Sequence, residues 1–334
     1  MISTRDNHNG GSNDTDSVST DILQLLGDSS FWSLGELTEQ VNVDSELVLE
    51  SIKQLQKLGV DIVNQDNNRF TLTQQLNLLN KDTILSHIVS NYKANILVKN
   101  IVSSTNDVLR DKLESLDQDS VCVAEAQTHG RGRRGKKWVS PFGASVCLSM
   151  LWRFYKGYQS LEGLSLLIGM AVNQALKEVG IKDCKLKWPN DIYHNHKKLA
   201  GILIEVEGQA TELTQAVIGI GVNFKLPNDI PDIDQAFTDV SSILNVELDR
   251  NLFVAKLLEQ IWKMIPIFNT HGLKPFIQLW QSADLYHNKP VSLLLGKGVV
   301  YGIYRGINER GALLLQTEKG IETFHGGEVS VRPV

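Results

Sequence analysis

Nine residues constrain this chain more than any others: Gly130-Arg131-Gly132-Arg133-Arg134-Gly135-Lys136-Lys137-Trp138, with three glycines and five cations among them. Such a string cannot be packed into an apolar core, and its glycines let the backbone approach a ligand while several positive charges converge on one point. That chemistry calls for an anion. The string satisfies G-x-G-x-x-G and the G-x-x-x-x-G-K part of a phosphate-binding loop, and it reads equally as a basic nucleic-acid patch or a plain solvated loop. A dinucleotide fingerprint needs a helix to open among the glycines, yet Pro141 and Gly143 follow closely. A phosphate-binding loop needs a hydroxyl for magnesium where Lys137 stands.

The rest of the chain supplies the context. At 334 residues, 42% hydrophobic and 21% charged, it has room for two or three domains with sizeable cores. No apolar run approaches the length of a membrane span and no signal-peptide pattern opens the chain, so a soluble, cytoplasmic protein without membrane association is expected. Cys122, Cys147 and Cys184 sit in apolar, strand-like surroundings without metal-ligand spacing and read as buried free thiols.

Residues 1–17 are almost devoid of apolar side chains and are expected to form a disordered tail. Three short helical patterns follow, on Ile22–Leu26, on Leu34, Leu37 and Val41, and on Val48, Ile52 and Leu55, with Asp44 as N-cap of the third and Gly59 as its stop. Two β-like runs, Val60–Val63 and Arg69–Leu72, flank Asp66-Asn67-Asn68, which makes residues 18–80 a winged helix-turn-helix domain or, on the same pattern, a small helical oligomerisation module.

Residues 81–284 read as one mixed α/β domain. A helix is expected from Thr105 to Leu116, strands at Val121–Ala124, Ser145–Trp152, Lys185–Trp188, Lys198–Val206 and Ala216–Asn223, and an apolar helix from Leu161 to Val179 closed by Gly180. Alternation in Ser145–Trp152 places Val146, Leu148, Met150 and Trp152 on one face. Residues 223–240 read as a long binding loop, 251–268 and 275–284 as helices, and 285–334, with five short β runs, as a small closed barrel. His194 and His196 belong to a turn.

With GRGRRGKKWVSPFGA at 130–144 stand SSTN at 103–106, KWPNDIY at 187–193, KLAGILIE at 198–205 and GIGVNF at 219–224. Each motif is weak alone, but their combination resembles the BirA family, bacterial bifunctional biotin protein ligases and biotin operon repressors, from residue 18 to the last. The resemblance implies an α/β fold with a mixed sheet like that of class II aminoacyl-tRNA synthetases and biotin ligases, between an N-terminal winged helix-turn-helix domain and a C-terminal SH3-like barrel. It implies an ATP-dependent, AMP-forming ligase that makes biotinyl-5′-AMP and transfers biotin to a lysine of the biotin carboxyl carrier protein of acetyl-CoA carboxylase. ATP and Mg²⁺ serve as co-substrate and metal, biotin is a substrate, and no tightly bound cofactor is expected.

Carried over residue by residue, the resemblance implies that Ser104, Thr105, Asn106, Gln127, Arg131, Gly132, Arg133, Lys198 and Gly201 hold biotin. Arg133, Arg134, Trp138, Lys187, Asn190, Asp191, Asn223 and Phe237 face the nucleotide, with Asp191 toward magnesium. Lys198, Lys187 and Arg133 carry the catalysis. Phe237 stands where the family leads one to expect a tryptophan against the adenine. The polar SSTN and Gln127 set favours biotin over lipoate or octanoate, whose protein ligases share the fold; a ligand sensor without turnover is the alternative of another class.

As a repressor the protein would form a ligand-dependent homodimer on operator DNA, with Ser45, Lys53, Lys57 and Arg69 as contacts. Charge opposes this, because residues 1–80 hold four cations against twelve carboxylates, a balance of −8 within a chain of net charge −5. Weak operator binding, or a ligase without repressor activity, is therefore expected.

Overall fold

The computed structural model describes residues 12–27, 30–65, 68–73, 76–92, 95–155, 157–208, 213–227, 230–295, 298–326 and 329–334. Of the expected tail, residues 1–11 lie outside these; Ser12–Ser17 do not match the expectation, because they form the first turns of a helix, α1 (Ser12–Leu26). Composition alone missed what the rest of the domain supplies there: the Gln54 amide donates to Asp16 Oδ1 at 2.7 Å, and Ser19, fully buried, is bonded to Gln54 Oε1 at 3.2 Å.

After α1 come β1 (Trp32–Ser33), α2 (Leu34–Val41), α3 (Ser45–Lys57), β2 (Ile62–Gln65) and β3 (Arg69–Leu72). Ser33 and Glu36 form a reciprocal capping box on α2. Asp44 caps α3 by accepting from Leu47 N–H at 2.8 Å, and Gly59, at φ +95°, ends it in the left-handed region that favours glycine. β2 and β3 pair as a hairpin, and β1, which the sequence pattern did not reveal, adds to the other edge of β3. Leu37, Val48, Ile52, Leu55 and Phe70 form the core of this unit.

The central unit contains α4 (Lys81–His87), β4 (Ile96–Val102), α5 (Thr105–Arg110), β5 (Val121–Gln127), β6 (Ser145–Phe154), α6 (Leu164–Glu178), β7 (Lys185–Lys187), β8 (Asp191–His194), β9 (Lys197–Gly208), β10 (Thr214–Asn223), α7 (Val240–Leu244), α8 (Arg250–His271) and α9 (Ile277–Ala283). Its seven strands run in the order β4-β5-β6-β10-β9-β8-β7, antiparallel except for the parallel β4–β5 pair. The mixed sheet is as expected. In β6 the alternation holds: Val146, Leu148, Met150 and Trp152 join the main core with α6 and α8, and the other face is buried as well, Leu151 packing with Leu109 of α5. The helix expected to reach Leu116 ends at Arg110. Residues 112–116 turn instead, and Arg153 satisfies the carbonyls of Leu113 and Leu116 at 2.9 and 2.8 Å.

The last strands, β11 (Pro290–Leu295), β12 (Gly298–Ile307), β13 (Leu313–Thr317), β14 (Gly320–Phe324) and β15 (Ser330–Pro333), form an antiparallel sheet ordered β14-β13-β12-β11-β15. Pairing between its two end strands, which a closed barrel would show, is not seen among the described residues. Leu293, Leu313 and Val331 share one continuous core with the central unit. No helix among the described residues is long and apolar enough to cross a membrane. Burial pushes the thiols of Cys122 and Cys184 up to about 12 and that of Cys147 to about 11, so all three buried cysteines stay protonated and inert.

Candidate active site

On the sheet face shared with α5 lies a cleft of about 1170 Å³ counted to its mouth, and the cationic loop after β5 forms its rim. Strand register explains why this face is hollow. Asp191, Gly201 and Gly221 stand in one row across β8, β9 and β10, and Gly219 faces Ser149 of β6 in another. A side chain at Gly221 would overlap the Trp138 indole, and one at Gly219 would lie 2.5 Å from Asn106 Oδ1. The glycines of GIGVN therefore admit Trp138 and Asn106 to the sheet surface.

The inner end of the cleft is polar and almost dry. Ser104, Thr105 and Asn106 are each 4% exposed or less. Gln127 Oε1 accepts from Thr105 N–H at 2.9 Å and lies 3.2 Å from the Thr105 hydroxyl. Ser149 Oγ lies 2.7 Å from Thr105 Oγ1 and 2.5 Å from Asn106 Oδ1, and Asn106 Nδ2 donates to Glu205 at 2.7 Å. Ser149 and Glu205 escaped the sequence reading. For Ser149 the signal was a lone hydroxyl in the middle of an apolar strand.

Lys198 marks the boundary between this cleft and a second one. Its Nζ is 2.8 Å from Asp191 Oδ1, an ion pair without the alignment of a hydrogen bond, and 5.7 Å from the centre of the Trp138 ring. Its backbone is bonded both ways to the 230–239 loop, donating to Ala236 O and accepting from Thr238 N–H, each at 2.9 Å. That loop, with Trp138, Val139, Asn223 and Phe237, walls the second cleft. Both clefts thus meet at Trp138 and Lys198.

Arg133 donates to Asn190 Oδ1 at 3.2 Å, and burial holds its guanidinium below the usual arginine range. Gly132, Arg134, Asn190 and Gly201 also line the first cleft, so each residue assigned to biotin or nucleotide lines one of the two cavities. Arg131 lines it too, but its guanidinium is turned into Asp107 and Glu205. Arg332 of β15 reaches the same cleft, a contribution of the last unit that the motifs did not indicate. The DNA-contact candidates lie elsewhere: Ser45, Lys53 and Lys57 are exposed on α3, and Arg69, also exposed, lies over the Phe31 ring at 5.5 Å.

Lys187 is the buried ammonium of the first cleft. It is 8% exposed, 3.4 Å from Tyr193 Oη and over the Tyr193 ring at 4.9 Å. Burial, reinforced by Arg332, lowers its ammonium from 10.5 to about 8. Above about pH 8 the ligand-free site therefore loses a charge that an exposed lysine would keep. The KM for Mg-ATP is expected to rise by roughly 10-fold or more from pH 7 to pH 9.5, in line with a lost charge-assisted hydrogen bond, and to stay flat in Lys187→Arg. Stability moves the other way: between about pH 8 and 10.5 the unfolded chain binds the extra proton, so folding is favoured as pH rises. Steady-state kinetics with thermal melts over this range checks both signs.

Among the described residues no group of three or more His, Cys, Asp or Glu side chains could hold a metal by itself. Asp191 is a single carboxylate facing the cleft, which suits magnesium arriving on phosphates and not a protein cage.

Comparison with known proteins places the chain in a family. Residues 98–223 match the biotin/lipoate A/B protein ligase family and 286–332 the biotin protein ligase C-terminal domain. The chain is 37% identical to the bifunctional ligase/repressor BirA of Salmonella typhimurium over 93% of its own length and 96% of that protein's. It is 35% identical to the Escherichia coli protein of the same name, with the same coverage. The biotin protein ligase of Aquifex aeolicus solved with biotin and ATP superposes with a TM-score of 0.64 at 31% identity, covering 72% of this chain and 99% of that one. This chain belongs to the biotin protein ligase family, with relatives among the bifunctional ligase/repressors.

Proposed function

We propose that this protein joins biotin to ATP, giving biotinyl-5′-AMP and pyrophosphate, and transfers the biotinyl group to a lysine of a biotin carboxyl carrier protein. The observation that carries the reading is the junction of the two clefts at Lys198. Biotin's ureido ring both donates and accepts, which suits the inner end built from Thr105, Asn106, Gln127 and Ser149; lipoate offers no such group. Its carboxylate then points outward to Lys198, and the adenine enters the second cleft beside Phe237 and Trp138.

Attack of the carboxylate on the α-phosphate brings two anions together. The ammonium of Lys198 sits where both charges would fall, and Arg133 and Lys187 add fixed positive charge along the nucleotide. Magnesium, held by the phosphates with Asp191 as the single carboxylate, would neutralise the departing pyrophosphate. In the second step the acceptor lysine attacks the acyl carbon and AMP leaves. Pyrophosphate release on mixing with biotin and Mg-ATP tests the first step; a ligand sensor without turnover would release none.

The first unit is assigned as a winged helix-turn-helix domain, the last as an SH3-like barrel, and the protein as a cytoplasmic, ligand-dependent homodimer. Operator recognition is assigned to α3 and the β2–β3 wing through Ser45, Lys53, Lys57 and Arg69. Caps account for two carboxylates of this unit, Glu36 and Asp44. Glu46 and Glu50 remain exposed near the start of α3, where they would oppose phosphate. Operator binding by the biotinyl-5′-AMP-loaded protein at physiological salt is therefore expected to be weak and to tighten at least several-fold in Glu46→Gln/Glu50→Gln. Fluorescence titration of biotin-operon promoter DNA decides it: tight, specific binding by the parent protein would contradict the expectation.

A further inference from the structure

Arg131 belongs to the cationic loop, yet its charge is spent on protein carboxylates instead of the cleft. Nη1 and Nη2 donate to Asp107 Oδ2 and Oδ1, each at 2.7 Å, in the parallel fork geometry of a strong guanidinium–carboxylate pair. Nη2 also lies 3.1 Å from Glu205 Oε2. Arg110 completes the square, 2.6 Å from Asp107 Oδ1 and 3.6 Å from Glu205 Oε1. The four charges sum to zero, so this corner adds no net charge to the site. It ties the loop through Arg131 to α5 through Asp107 and Arg110, and to β9 through Glu205.

The same carboxylate touches the inner end of the cleft. Glu205 Oε2 accepts from Asn106 Nδ2 at 2.7 Å, and this leaves Asn106 Oδ1 turned toward Ser149. Asn106, two-sided as an amide, has its donor and acceptor ends fixed by these partners. Loop position and amide orientation are therefore set by one cluster. Asp107 and Glu205 are respectively 19% and 24% exposed and Arg131 35%, sheltered enough for the pair to exceed an ordinary surface bridge. The Arg131 hydrogen bond holds the Asp107 carboxyl below its usual range, so the pair stays ionised in mildly acidic solution.

We propose that Asp107 and Glu205 form a carboxylate latch that holds the cationic loop shut over the biotin pocket through Arg131, while Glu205 orients Asn106 inside it. Arg131 is then a positioning residue, and the phosphates are left to Arg133 and to Lys187 and Lys198. The inference rests on the ligase reading for the identity of what is retained, but the latch itself is a property of the loop.

Two readouts on the full-length protein test it. The first is the dissociation rate of preformed biotinyl-5′-AMP in the parent, Asp107→Ala, Asp107→Asn, Arg131→Ala and the Asp107→Ala/Arg131→Ala double variant. Each single variant is expected to release the adenylate about 10-fold faster or more, and the double variant no faster than the faster single, because both remove one interaction. The second is tryptic cleavage at Arg133 and Arg134, which biotin should suppress in the parent and not in Asp107→Ala or the near-isosteric Asp107→Asn. Unchanged release and unchanged protection in Asp107→Asn would overturn the latch, as would multiplicative effects in the double variant. If the parent releases no pyrophosphate from biotin and ATP, the ligase reading fails by itself, and the tryptic comparison still decides the latch.

Discussion

Lys198→Ala is expected to slow formation of biotinyl-5′-AMP by about 10²–10³-fold, the cost of removing one preorganised charge from a developing anion. Lys136 and Lys137 also line both clefts, but they are 60% and 57% exposed and paired with Asp234 and Asp232, whereas Lys198 is 17% exposed; Arg133 is committed to Asn190 and Lys187 is packed on Tyr193. The fold should tolerate the change. Lys198 and Asp191 are respectively 17% and 19% exposed, and the backbone bonds from Lys198 to Ala236 and Thr238 do not depend on the side chain. Lys198→Arg should recover little, because a planar fork cannot replace a compact ammonium between two anions. Single-turnover adenylation with thermal melts on the same samples separates the outcomes; an adenylation rate near the parent's would remove Lys198 from the mechanism.

Glu125→Ala is expected to produce the largest loss of stability, about 3–5 kcal/mol. This carboxylate in β5 has no exposed side-chain surface and accepts from Arg250 Nη1 at 2.6 Å and from Leu79 N–H at 2.5 Å. Arg250 also donates to Asn77 O at 2.7 Å, and Asn251 beside it accepts from Asn80 N–H at 2.8 Å. The segment joining the first unit to the catalytic unit is thus clamped to the start of α8. Truncating Glu125 strands a guanidinium that is only 10% exposed and leaves a buried N–H without an acceptor. Such a loss is a large fraction of the 5–15 kcal/mol that typically separates folded from unfolded chains. Because the penalty comes from the uncompensated charge, Glu125→Leu/Arg250→Met should melt above Glu125→Ala. Melting of all three by circular dichroism checks the order, and a Glu125→Ala melt close to the parent's would refute the clamp.

The sequence disclosed what local pattern controls. Asp44 and Gly59 bracket α3 because capping and left-handed φ are decided within a few residues. The biotin and nucleotide assignments could be made because SSTN, GRGRRG, KWPND and GIGVN keep their chemistry in short strings. What stayed hidden depends on register or distance. Ser149 reaches Asn106 because β6 pairs with β10 to set it opposite Gly219. Glu205 alternates along β9 with residues of the other face, and its partners Arg131 and Asn106 lie 74 and 99 positions away. Glu125 looked like an ordinary strand residue until Arg250, 125 positions on, was brought against it. β4 and the first turns of α1 escaped for a related reason: tertiary contacts support stretches whose own periodicity or composition is weak.

The most direct test of the account is a mass spectrum of a biotin carboxyl carrier domain incubated with this protein, biotin and Mg-ATP, with pyrophosphate measured in the same tube. The account predicts one biotinyl group on one lysine of the carrier, about one pyrophosphate for each group transferred, and neither product above trace level with Lys198→Ala over the same period. An unmodified carrier without pyrophosphate release, or modification by lipoate in preference to biotin, would contradict it.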